Sequence, residues 1–148
     1  PVCRGDGKGP IPVFTLPISF EKKHELYSWQ QSYCDHDNIW IGSGALEIAA
    51  YRQLADPESE LSREGRDLCR NLENAMGIPT FYYLMRFWAR KNGEDIRSCP
   101  GCGRHWRVRG DVKRQHFWEF DFRCEQCRLV AHEGVSTGGG RHTCIGEF

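Results

Sequence analysis

Apolar residues recur along this chain in two rhythms, and the change of rhythm divides it. From Ser19, which can cap a helix whose first turn holds Glu21, the residues Leu26, Trp29 and Tyr33 return at helical spacing. The polar run Asp35-His36-Asp37-Asn38 reads as the end of that helix, which is expected over 19–33. After a short apolar Ile39-Trp40-Ile41, Gly42-Ser43-Gly44 opens a second helix over 44–54, with Leu46, Ala49, Ala50 and Leu54 on one face. Asp56-Pro57 restarts the pattern, with Asp at the cap, Pro at the first helical position, and Glu58 and Glu60 favoured by the helix dipole. Leu61, Leu68, Leu72, Ala75 and Met76 carry this third helix over 57–76, with Gly65 as a candidate break. Gly77 and Pro79 stop it.

The rhythm then changes. Residues 80–88 (TFYYLMRFW) are dense in aromatics and short for a helix, so a strand is expected there. Asn92-Gly93 turns the chain into a region of short strands at 105–108, 118–123 and 128–133. The tail from Ser136 to Phe148, with three consecutive glycines, reads as flexible. The pattern predicts an α+β protein: a mainly helical domain over 1–92 with an extended lead-in, a β zinc ribbon over 93–135, and a flexible tail over 136–148.

The ribbon rests on cysteine spacing. Cys99-Pro-Gly-Cys102 and Cys124-Glu-Gln-Cys127 stand twenty-one residues apart. Two residues between paired cysteines let one tight turn deliver two thiolates, and two such pairs make the tetrahedral set zinc prefers. Pro100, Gly101 and Gly103 suit such a turn. With four protein sulfurs no position remains for water, so one structural zinc is expected and no catalytic metal. Of the remaining cysteines, Cys3, Cys34, Cys69 and Cys144 show no paired spacing. Cys69 reads as a small buried hydrophobe, and Cys144 with His142 makes only a weak second metal pair.

Composition adds three points. Eighteen aromatics within a 39% hydrophobic chain of 148 residues can fill a core. No run approaches the roughly twenty apolar residues of a membrane span, and paired cysteines without a secretory signal point to the cytoplasm. Residue 1 is Pro, so the chain reads as part of something longer.

Charge is uneven along the chain. Residues 1–96 hold 11 basic and 14 acidic side chains, a net of −3, whereas residues 97–148 hold 9 and 6, a net of +3. The basic excess is concentrated between the cysteine pairs, where Arg104, Arg107, Arg109, Lys113 and Arg114 interleave with Trp106, His105, His116, Phe117 and Trp118. Cations against phosphate and flat faces for unpaired bases are what nucleic acid requires. Arg104, Trp106, Arg107, Arg109, Lys113, Arg114 and Trp118 are therefore the candidate nucleic-acid surface. Single strands or RNA fit it, because no base-reading motif is present. The alternative is a protein-interaction adaptor using the same surface or the helical face near Trp29 and Trp40. Asp35-His36-Asp37, with Glu47 as a possible neighbour, is the one candidate acid/base cluster, and polar capping is the simpler reading. Gly5-Asp6-Gly7-Lys8-Gly9 superficially suggests a phosphate loop but lacks the required spacing and a Ser/Thr after the Lys. A non-enzymatic role is expected.

Four stretches carry a family resemblance: Trp40–Glu47, Ala50–Pro57, Gly77–Met85 and Phe120–Cys127. Over residues 10–133 the chain resembles an uncharacterised bacterial family of zinc-ribbon-containing proteins described as candidate nucleic-acid binders. The resemblance implies zinc ligation by Cys99, Cys102, Cys124 and Cys127. It also implies a further N-terminal region ahead of this one.

Overall fold

The computed structural model describes residues 2–108, 116–137 and 140–147, with the side chains of 140 and 141 left aside. A short antiparallel hairpin, β1 (Val2–Cys3) and β2 (Pro10–Ile11), opens the chain. The glycine-rich run at 5–9 forms its tip rather than a phosphate loop. Three helices follow: α1 (Phe20–Gly42), α2 (Glu47–Ala55) and α3 (Glu60–Met76). The remaining strands are β3 (Tyr82–Tyr83), β4 (Phe122–Cys124) and β5 (Leu129–Ala131). They make one sheet in the order β3-β5-β4, with β3 parallel and β4 antiparallel to β5. The architecture is α+β, helical first, with the four-cysteine cluster in the C-terminal part.

Ser19 caps α1 as expected, its Oγ accepting from Lys22 N at 3.3 Å. The helix does not stop at Asp35, however, and runs nine residues beyond the expected end. Each of Asp, His and Asn costs a helix only a few tenths of a kcal/mol. Against that stands the packing of Trp40 on Tyr51, Phe87 and Trp88. The aromatic contact wins, and the polar run sits within a helix. The second and third helices start three residues later than expected. Ser43 Oγ accepts from Leu46 N at 2.8 Å ahead of α2, and Ser59 rather than Asp56 caps α3, accepting from Ser62 N at 3.1 Å. Asp56 instead folds back to accept from Glu58 N.

Gly65 does not break α3. It lies where the Trp29 and Tyr82 rings meet the helix, and a Cβ there would come within 2.6 Å of Trp29 Cζ2. Gly77, with φ 67°, ends α3 in the left-handed conformation.

The strand expected over 80–88 pairs with β5 only at Tyr82–Tyr83. Leu84 N still donates to Val130 O, but Met85 N turns to Leu54 O, so the chain leaves the sheet for α2. It regains a sheet-like contact at the Trp88–Ser136 bridge. In the ribbon, Arg107 bridges Phe122 in place of a full first strand, and the third strand of the sheet is β3, supplied by the helical part. One apolar cluster accordingly spans the expected domain boundary near residue 92. It joins Tyr82 and Leu84 to Cys99, Trp106, Phe122, Cys124, Leu129 and Ala131.

The described part of the tail is packed, not loose. Residues Gly140–Cys144 form a 3-10 turn, and Ile145 packs against the Tyr51–Trp88 cluster. Glu147 accepts from Arg90 Nε at 2.8 Å and lies 3.2 Å from Arg97 Nη2. Its charged end finds cations that glycine content alone does not reveal.

Candidate metal centre and its surroundings

Two tight turns face each other across the sheet end. In the first, Gly103 N donates to Cys99 O at 2.8 Å and Gly103 takes φ 69°. In the second, Cys127 N donates to Cys124 Sγ at 3.4 Å, and the equivalent left-handed position is held by Arg128 at φ 53°. Arg128 is the one non-glycine residue with positive φ among the described residues. Gly101 lets the turns approach, since a Cβ would stand 2.9 Å from Cys127 Sγ.

The four sulfurs of Cys99, Cys102, Cys124 and Cys127 lie within 4.8 Å of one another, and Cys102 Sγ is 3.7 Å from Cys124 Sγ. Zinc bound at about 2.3 Å by four sulfurs implies tetrahedral edges of about 3.8 Å. The donor set therefore fits one such ion. Burial raises the Cys99 thiol and pushes Cys127 up to about 12. The backbone N–H of Arg104 lowers Cys102. Four thiolates crowded together need a cation to hold them ionised. Among the described residues this is the one cluster of metal-ligating type.

Trp106 forms the floor of the ribbon. Its ring stacks on Phe122 at 5.0 Å, and its indole N–H donates to Arg97 O at 2.9 Å. At 1% exposure it has no free face. This corrects its assignment to a base-stacking surface: a ribbon with little core of its own spends this indole on packing. Trp118 is different, 39% exposed and stacked on His116 at 4.6 Å with only 10° between the rings. The N-terminal hairpin supports it, as Gly7 lies so close that a Cβ would overlap the indole. Phe117, 62% exposed, leans on Tyr83 and His132. Sequence reasoning passed over Phe117 and His116 as site residues, although both sit in the same aromatic-basic run.

The cations are less uniform than the sequence suggests. Arg104 is exposed. Arg107 is half-buried, with its guanidinium 3.0 Å from Glu133 and over the Phe122 ring at 5.3 Å. Arg109, Lys113 and Arg114 lie outside the described residues. Arg123 pairs with Glu125 at 2.7 Å, and Arg128 with Glu73 at 2.8 Å.

Asp35-His36-Asp37 lies on α1, and His36 Nδ1 is 2.7 Å from Ser32 O in its own helix. A cavity of about 220 Å³ opens between α3 and the cysteine turns, lined by residues including Arg66, Tyr82, Cys102 and Cys127. Neither His36 nor Glu47 lines it. Cys69 lines the same cavity, packs against the ribbon core, and is pushed up to about 12 by burial. The His142 ring lies against Trp88 at 5.1 Å. Among the described residues no helix is long and apolar enough to cross a membrane.

The paired turns and four-sulfur cluster fit a zinc ribbon. Residues 1–85 match the family described as a domain of unknown function (DUF2310), more than half of the chain, and the chain belongs to that family. Residues 89–135 match a second domain of unknown function (DUF8594). The border between them falls just after β3, although β3 pairs with the ribbon strand β5. Two Haemophilus influenzae proteins, both described as uncharacterized, are each 32% identical over 134 residues, or 89% of this chain. The chain spans 64% of one and 50% of the other, less than two thirds of either relative. No solved structure matches.

Proposed function

We propose that this chain is a non-enzymatic zinc-ribbon module that binds single-stranded nucleic acid, RNA or DNA, with one structural zinc in the four-cysteine site. The observation that carries this reading is the exposed aromatic edge of the ribbon, where Trp118 stacks on His116 and Phe117 stands in solvent beside it. Stacking on such faces contributes about 1–3 kcal/mol per base and tolerates any sequence. Arg104 supplies an exposed cation between the cysteine pairs, and Arg109, Lys113 and Arg114 belong to the same basic run in the sequence. Zinc would fix the two cysteine turns that bracket this segment in the sequence.

A second reading, a protein-interaction adaptor using the same surface, is favoured by the pairing of Arg107, Arg123 and Arg128 with carboxylates. Those pairs reduce the charge available to phosphate. Fluorescence anisotropy of zinc-loaded protein on labelled single-stranded RNA, single-stranded DNA and duplex, across a salt series, separates the two. Binding that weakens steeply with salt and falls about tenfold or more in Trp118→Ala supports the nucleic-acid reading. Absence of binding at low salt removes it and leaves the adaptor.

A further inference from the structure

Helix α1 has apolar residues on two sides. Its inner side sends Leu26, Trp29, Tyr33 and Trp40 toward the rest of the fold, where Leu26 is buried and Trp29 and Tyr33 pack ring against ring. Its outer side carries Phe20, Tyr27, Cys34 and Ile41, spaced seven residues apart throughout. Phe20 is 81% exposed, Tyr27 55% and Ile41 71%, and Cys34 is exposed as well. Seven-residue spacing drifts only about 20° per repeat, so the four side chains form one stripe along roughly 32 Å of helix. An aligned apolar stripe facing water is the mark of a surface that meets another helix.

The stripe is edged by charge that enters no ion pair among the described residues. Lys23 and Asp37 lie along the same flank, separated by Gln30. Lys23 Nζ donates to the Phe14 carbonyl at 3.0 Å, and within the described residues neither Lys23 nor Asp37 enters an ion pair. The other flank holds His24, Gln31 and Asn38, which are polar but carry no fixed charge.

We propose that α1 is a homodimer seam, packing antiparallel on α1 of a second copy about a twofold axis beside Gln30 and Gln31. In this arrangement Phe20 meets Ile41 of the partner subunit, and Tyr27 meets Cys34 of the partner subunit. Each ring thus faces a smaller side chain. Same-side flanks meet in antiparallel helix pairs, so Lys23 comes level with Asp37 of the partner subunit, and symmetry repeats the pair at the other end. A parallel pairing would instead stack Phe20 and Tyr27 on their own copies and set the Lys23–Asp37 flank against the flank without fixed charge, leaving Lys23 and Asp37 without opposite charges across the seam. Charge and side-chain size together select the antiparallel partner. With four apolar residues per copy the seam is narrower than a standard interface of about 1,600 Å², so a weak, concentration-dependent dimer follows.

Sedimentation equilibrium of the zinc-loaded full chain tests this. The expected result is a reversible monomer–dimer equilibrium that Tyr27→Lys shifts to monomer, with the fold checked by circular dichroism. Lys23→Asp and Asp37→Lys should each weaken the dimer roughly three- to tenfold, and the two together should restore it. That rescue separates a real cross-pair from any local effect of either substitution. A chain that stays monomeric up to about 1 mM overturns the proposal, and the stripe then belongs to another partner or to further residues of a longer protein. A dimer indifferent to Tyr27→Lys, or a charge swap that fails to rescue, overturns it equally.

Discussion

The carboxylate of Glu73, near the end of α3, receives Arg128 Nε at 3.0 Å and Arg128 Nη2 at 2.8 Å, so the helix grips the residue that follows the second cysteine turn. Arg128 occupies a left-handed position where glycine is the easier residue, and a guanidinium held by Glu73 and Glu125 accounts for its presence. The Arg128 guanidinium, followed by the Thr80 N–H, holds the Glu73 carboxyl below its ordinary 4.5.

A folded-state pKa below the unfolded one adds stability above the unfolded value, and this is lost as pH falls through the folded value. Glu73→Gln should therefore lower Tm at neutral pH. The gap between wild type and variant should narrow below pH 4.5 and close once Glu73 is protonated. Thermal melts of both proteins at matched pH check this, with metal loss at acid pH common to both. At Arg128, Ala should melt below Gly, because both lose the clamp while Gly alone relieves the backbone.

The cysteine turns were legible in the sequence because metal ligation imposes spacing directly on the chain. Ser19 and Gly77 were legible too, since caps are local chemistry. What spacing does not encode is where partners come from. The continuation of α1 past Asp35 depends on Trp40 meeting Phe87, 47 residues later. Gly65 reads as a break until the Trp29 and Tyr82 rings are in place over it. Trp106 and Trp118 look alike in a run of arginines, yet one fills the ribbon core and the other edges it.

The shared core makes a prediction about metal. Because Tyr82 and Leu84 sit in one cluster with Cys99, Trp106 and Leu129, losing the ion should disturb more than the ribbon. One zinc per chain is expected by elemental analysis. A strong chelator, or Cys124→Ser, should red-shift Trp106 emission as it meets water and lower the melting temperature of the helical part. Native-like helical melting after complete zinc removal would show the two parts to be energetically separate.

Gly65→Ala tests whether packing overrides propensity. Alanine is favoured over glycine in a helix interior by about 1 kcal/mol. Here the added methyl would meet Tyr82 and Trp29, whose indole N–H is anchored to Leu61 O at 2.8 Å and cannot swing away freely. Overpacking of this kind costs about 1–3 kcal/mol. The expected net is destabilisation by about 1 kcal/mol in urea unfolding, whereas a stabilised variant would mean that the rings have room to shift.

The C-terminal segment is the remaining test of how the fold is closed. Arg97 is almost wholly buried, and two of its partners come from this segment: Thr143 O, which accepts from Nη2 at 2.8 Å, and the Glu147 carboxylate. Glu94 supplies the other carboxylate at 3.1 Å, and Arg86 lies buried beside it, 3.8 Å from Glu94 and short of hydrogen-bond partners. Ending the chain at residue 137 would leave two buried guanidiniums sharing one carboxylate. Breaking a buried pair by removing one side costs about 3–5 kcal/mol. A loss near the lower figure is expected in urea unfolding, since water can enter where the segment leaves. Glu147→Gln keeps Ile145 and the Thr143 carbonyl in place, so it should cost distinctly less than the truncation. If the truncated chain were as stable as the full one, the segment would be a passenger on the surface and the buried arginines would owe their stability to Glu94 alone.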